Sequence, residues 1–192
     1  MDTKTYPAYS AYVAAAAGFL YAVSFVVLQN PFLSALFLLL GGFAAVPVFV
    51  VLYNRLRSAD HVIAQIALIL GILGAAGTIM HGGFDLANAL HPPSVLSTDV
   101  PNQADPRGLL TFGLTGIALI KIAWLMAKSK AFPNKLASLG YGSGILLVII
   151  YLARLIILDP SNPLLLYPVL IEGFIVNPLW YVWVGSALQR SA

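Results

Sequence analysis

The sequence predicts an all-α polytopic membrane protein: a bundle of six transmembrane helices forming a single transmembrane domain over residues 1–192. Three observations predict it. The chain is 60% hydrophobic and only 9% charged, whereas soluble domains are roughly 45–50% apolar and about 25% charged. Six segments each hold the roughly 17–25 mostly apolar residues that a helix needs to cross hydrocarbon. Lys and Arg gather in alternate connections, as membrane insertion requires. The composition excludes a soluble domain and a disordered chain. With no Cys, it also excludes a disulfide scaffold and a zinc–thiolate site. The pI of 9.2 invites a nucleic-acid reading, but the cations are scattered over short loops and form no patch, so no nucleic-acid partner is expected.

The spans fall near 12–29, 33–53, 62–90, 108–127, 136–158 and 165–188. Asn30-Pro31 turns the chain after the first span. The polar run from Asn54 to Asp60 closes the second. Four prolines between His91 and Arg107 (Pro92, Pro93, Pro101 and Pro106) stop the third helix. Lys128 to Lys135, with Pro133, separates the fourth span from the fifth, and Asp159-Pro160-Ser161-Asn162-Pro163 ends the fifth. A cleaved leader over residues 1–29 is not expected, because its one Lys is offset by Asp2.

An even number of spans puts both termini on one face. That face holds seven cations (Lys4, Arg55, Arg57, Lys128, Lys130, Lys135 and Arg190); the other holds Arg107 alone, beside Asp99, Asp105 and Asp159. The bias predicts N-in and C-in, with the 91–107 loop outside, in the cell (inner or plasma) membrane.

The third span carries the main signal. Ala67, Gly71, Gly74, Thr78, His81, Asp85 and Asn88 follow one another by three or four residues and make one stripe. All are small or polar. In lipid, small residues let helices approach, so Ala67, Gly71 and Gly74 read as a packing seam. The ionisable half of the stripe should face protein, since a carboxylate at the bilayer centre costs roughly 2.5–3.5 kcal/mol or more. At 1.5 Å per residue the span exceeds the hydrocarbon thickness. It must tilt, break at Gly82-Gly83 or project outward.

Lys121 lies near the cytoplasmic end of the fourth span and is expected to snorkel. Arg154 and Glu172 lie in the outer halves of the fifth and sixth spans, at the level of His81 and Asp85, with Tyr151 one turn below Arg154. Two readings follow. One is an interhelical ion pair of Arg154 with Glu172 or Asp85. The other is an outward-facing polar pocket built from His81, Asp85, Tyr151, Arg154 and Glu172. Asn177-Pro178 interrupts the sixth helix and frees the carbonyl of Phe174. Trp180, Tyr181 and Trp183 read as an aromatic belt at the membrane interface.

His81 and Asp85 form an H-x-x-x-D spacing. Intramembrane hydrolases of the ceramidase and adiponectin-receptor type combine such a motif with two later His, but the last three spans here have none. A closed zinc site is therefore not expected, nor is a haem clamp. No catalytic residue, metal or cofactor is assigned.

The second half carries a further pattern. Lys130-Ala131-Phe132-Pro133-Asn134-Lys135-Leu136-Ala137-Ser138-Leu139-Gly140 leads into the fifth span, and Pro168-Val169-Leu170-Ile171-Glu172-Gly173 precedes Trp183-Val184-Gly185. Over about residues 106–188, and loosely at Tyr53, the chain resembles an uncharacterised family of prokaryotic six-helix integral membrane proteins. The resemblance implies six helices and no known activity.

The function expected from the sequence is a non-catalytic integral membrane protein whose outward-facing polar pocket binds a small molecule or lipid headgroup. The alternatives are an accessory or assembly subunit of a larger membrane complex, and an intramembrane enzyme using His81 and Asp85. The expected partners are the bilayer, such a ligand, and a membrane-protein partner or a second copy of the chain.

Overall fold

The computed structural model describes residues 5–92, 102–157, 159 and 161–190. Asp2, Lys4, Pro93, Asp99, Pro101 and Pro160, used in the sequence reading, lie outside these. Among the described residues, six helices are long and apolar enough to cross a membrane: α1 Tyr6–Val27, α2 Pro31–Leu56, α3 His61–Leu90, α4 Pro106–Ser129, α5 Asn134–Ile156 and α6 Pro163–Arg190. The first begins six residues before the expected 12–29 span, because Pro7 fits the first helical turn and Ala8 and Ala11 beyond it are fully buried.

Local chemistry sets the helix ends. The Asn30 side chain accepts the Leu33 N–H at 3.0 Å and Pro31 takes the first helical position. Asp60 caps α3 by accepting the Ile63 N–H at 3.1 Å. That bond, together with the Lys128 ammonium 3.2 Å away, holds the half-buried Asp60 carboxyl below the usual carboxylate range. Asn162 caps α6 through the Leu164 N–H.

The helices form a ring. Each packs on the next in sequence, and α6 closes on α1. Small residues face inward: Ala8, Ala11, Ala14, Ala15, Ala67, Ala118 and Ala123 are buried, while Leu40, Phe43, Ile69, Leu73, Ile149 and Leu152 point outward. This distribution suits a lipid exterior, where close backbone approach rather than apolar burial draws helices together. The α3 seam behaves accordingly. A Cβ at Gly71 would lie 2.5 Å from the Phe49 ring. Gly82 neither breaks nor kinks α3, which runs unbroken from His61 to Leu90. Instead its bare Cα admits the α2 backbone, since a Cβ there would sit 2.6 Å from the Leu39 nitrogen and 2.9 Å from the Ala35 oxygen.

Two expectations are corrected. Trp180 and Tyr181 are not an interfacial belt: they are buried in the core at 0% and 6% exposure, ring against ring at 4.9 Å. The Trp180 indole lies against Gly140, which leaves it room by having no side chain. Asn177-Pro178 does not interrupt the sixth helix, which continues through it as a helical run. Glu172–Val176 forms a π-helical turn, and the Asn177 N–H bonds back to the Glu172 carbonyl. The wider turn re-pairs the backbone around a residue with no N–H to give.

Candidate functional site

The same end of the ring, where α1, α3 and α5 finish and α2, α4 and α6 begin, holds two polar centres. The first joins α3 to the start of α4. The His81 ring is 5% exposed and lies between two carboxylates, with Nε2 3.4 Å from Asp85 and Nδ1 3.2 Å from Asp105. Asn102 completes the centre. It donates to Asp85 at 2.8 Å and to the His81 carbonyl at 3.1 Å, and accepts the Asp105 N–H at 2.9 Å. Asp105 is fully buried and also accepts the N–H groups of Leu110 and Thr111 at 2.9 and 3.1 Å. Burial alone would raise its carboxyl, but His81 and the Leu110 and Thr111 backbone N–H groups outweigh it and hold the group at about 2. The turn into α4 depends on Gly108, whose φ of 80° suits glycine, and whose N–H bonds to the Asp105 carbonyl.

The second centre is a cavity of ≈ 150 Å³ to which all six helices contribute. Its walls are mostly apolar, with Phe37, Phe49, Leu147 and Ile150 among them, and its charge-bearing side chains are Arg154 and Glu172. Three π-helical turns border it: Val23–Val27 ending α1, Leu109–Leu114 opening α4, and Glu172–Val176 in α6. Each contributes wall residues: Phe25 and Val26, Thr111 and Phe112, Glu172 and Gly173. A π-turn inserts one extra residue into a helix and bulges it, and such turns concentrate at functional sites. Phe25 is the one exposed residue of the lining, at 52%, and stacks on Tyr21 at 5.7 Å, which puts the mouth beside the end of α1.

Glu172 is 4% exposed. Its Oε1 accepts the Ser143 hydroxyl at 2.5 Å, while Oε2 has no hydrogen-bond partner among the described residues. Asn177 stands close by without completing a bond of good geometry. Arg154 holds its guanidinium over the Phe112 ring, 5.1 Å from the centroid. Among the described residues no carboxylate lies within ion-pair distance of it. The expected pairing of Arg154 with Glu172 or Asp85 is therefore not formed. Each group took a nearer partner on its own side: Phe112, Ser143, and His81 with Asn102.

The five residues read from the sequence thus separate. Arg154 and Glu172 share the cavity. His81 and Asp85 meet at the neighbouring centre and do not line it. Tyr151 packs on Gly113 of α4, because each residue advances about 100° around a helix: Ser143, Leu147, Ile150 and Arg154 share the cavity face and Tyr151 turns away from it. Thr78, one turn before His81, does line the cavity. The sequence reading missed Asn102, Asp105, Ser143, Tyr21 and Asn177. Only Asp105 carried a usable signal, since Asp directly before Pro marks a helix start.

No family model matches the chain, and neither a curated protein nor a solved structure does.

Proposed function

We propose that this chain is a non-catalytic, multi-pass protein of the cell membrane, N-in and C-in, whose cavity binds a small molecule or lipid headgroup bearing negative charge. The carrying observation is Arg154: a cation lining a largely apolar cavity, with an aromatic face beneath it and, among the described residues, no carboxylate beside it. Charge away from water is stable when paired, and an anionic ligand supplies the missing partner. In the proposed orientation the cavity lies in the outer half of the membrane, as the Lys and Arg distribution supports. The proposal keeps the kinship with the uncharacterised six-helix family over residues 106–188. The enzyme reading draws no support from His81, since both ring nitrogens face carboxylates and neither is open to a substrate or metal.

The test is thermal unfolding of the purified chain in detergent with octanoate or octanol. Octanoate should raise the midpoint in proportion to its concentration, octanol should do so far less, and Arg154→Gln should erase the difference. Equal response to both probes, or an undiminished octanoate effect in Arg154→Gln, rejects the proposal.

A further inference from the structure

The cavity has a second pole, and its distance from the first constrains what fits. Ser143, Leu147, Ile150 and Arg154 follow one another by four, three and four residues, so they occupy one face of α5. Leu147, Ile150 and Arg154 line the cavity, and Ser143 holds Glu172, which lines it from α6. Eleven residues separate Ser143 from Arg154, a rise of about 16 Å along the axis. The Arg154 side chain leans back toward the helix start and shortens that span. Between the poles the α5 wall is Leu147 and Ile150, faced by Phe37 and Phe49 of α2. At the far pole Glu172 Oε2 is buried and, among the described residues, has no hydrogen-bond partner. Leaving such an atom unpaired costs free energy comparable to a lost hydrogen bond, so a group that meets it gains affinity.

Resting on the binding function above, we propose that the ligand is bipolar: a carboxylate or phosphate head on Arg154, a medium-length apolar body along Leu147 and Ile150, and a hydrogen-bonding far end on Glu172 Oε2. An ionised Glu172 accepts from a hydroxyl or amine, and a protonated one both donates and accepts, so a hydroxyl satisfies either state. A plain fatty acid matches one pole and leaves the other dry and unpaired.

The experiment measures binding of octanoate and of ω-hydroxyoctanoate to the full chain in phosphatidylcholine nanodiscs. The hydroxy acid should bind about tenfold tighter, the worth of one buried hydrogen bond. Glu172→Leu should bring that ratio to about one while octanoate still binds; Arg154→Gln should weaken both acids. The ratio in the parent protein needs no variant, so a Glu172→Leu chain that fails to fold leaves the test intact. A ratio of one in the parent overturns the bipolar ligand and, if octanoate still needs Arg154, leaves the binding function standing. Failure of both acids to bind overturns both. Phosphatidylglycerol added to the disc separates the sources of the anionic head: competition with both acids shows that a membrane lipid's phosphate reaches Arg154, no competition identifies a free acid, and the ratio of the two acids decides the far pole in either case.

Discussion

Asp105→Asn removes one negative charge from a fully buried group and nothing from its volume. The carboxylate takes the Leu110 and Thr111 N–H groups and faces His81 Nδ1. An amide has one carbonyl oxygen, so it cannot serve both α4 N–H groups and the imidazole with equal geometry, and one buried partner is left unmet at a cost of about 1–3 kcal/mol. Proton linkage yields a similar figure. The folded carboxyl sits at about 2 against an ordinary value of 3.8, just under two units at about 1.36 kcal/mol each, or about 2 kcal/mol. The sign follows from the depressed value: this stabilisation is full above pH 4 and disappears as pH falls toward 2. Asp105→Asn should therefore unfold roughly 4–8 °C lower at pH 7, on the scale for a chain of this size. The gap to the parent should close as both are acidified from pH 4 to pH 2. Every residue but 105 is common to the two proteins, so the parent-minus-variant difference reports Asp105 together with its contact to His81. Thermal unfolding followed by circular dichroism in detergent across pH 2–7 measures it. A variant as stable as the parent at pH 7, or a gap that stays constant to pH 2, refutes the reasoning.

Gly82→Ala should destabilise the α2–α3 contact by about 1–3 kcal/mol, because the new methyl meets the backbone at Leu39 and Ala35 rather than a movable side chain; a thermal midpoint within one degree of the parent contradicts this. Lys128→Ala breaks an exposed ion pair with Asp60 and a cation–π contact with the Trp124 ring 4.7 Å away and should change stability by no more than about 1 kcal/mol, which chemical denaturation in mixed micelles measures. The absence of native Cys makes topology directly readable. Ser58→Cys and Ser161→Cys, both on exposed loop residues, should react with an impermeant maleimide from opposite sides of the membrane, Ser161→Cys in intact cells and Ser58→Cys only after lysis. Labelling of both from one side rules out the proposed orientation.

Residues that act locally were legible from the chain alone. Apolar run length located all six helices, and the prolines and polar caps marked their ends to within a few residues except at the start of α1, because helix formation in an apolar medium depends on neighbours within one or two turns. The small-residue stripe from Ala67 to Gly74 showed which face of α3 would be packed. Charge placement supplied an orientation to test. What no local pattern contained was the rotation of each helix about its own axis once the ring closed. That rotation set Arg154 over Phe112 rather than against a carboxylate, turned Tyr151 toward Gly113, and gave Asp105 to His81. It also buried Trp180 and Tyr181, whose side chains suit an interface and a core equally well. The three π-turns that border the cavity belong to the same class of feature. Each trades regular hydrogen bonds within one helix for fit against the others, and only the assembled set of six specifies that exchange.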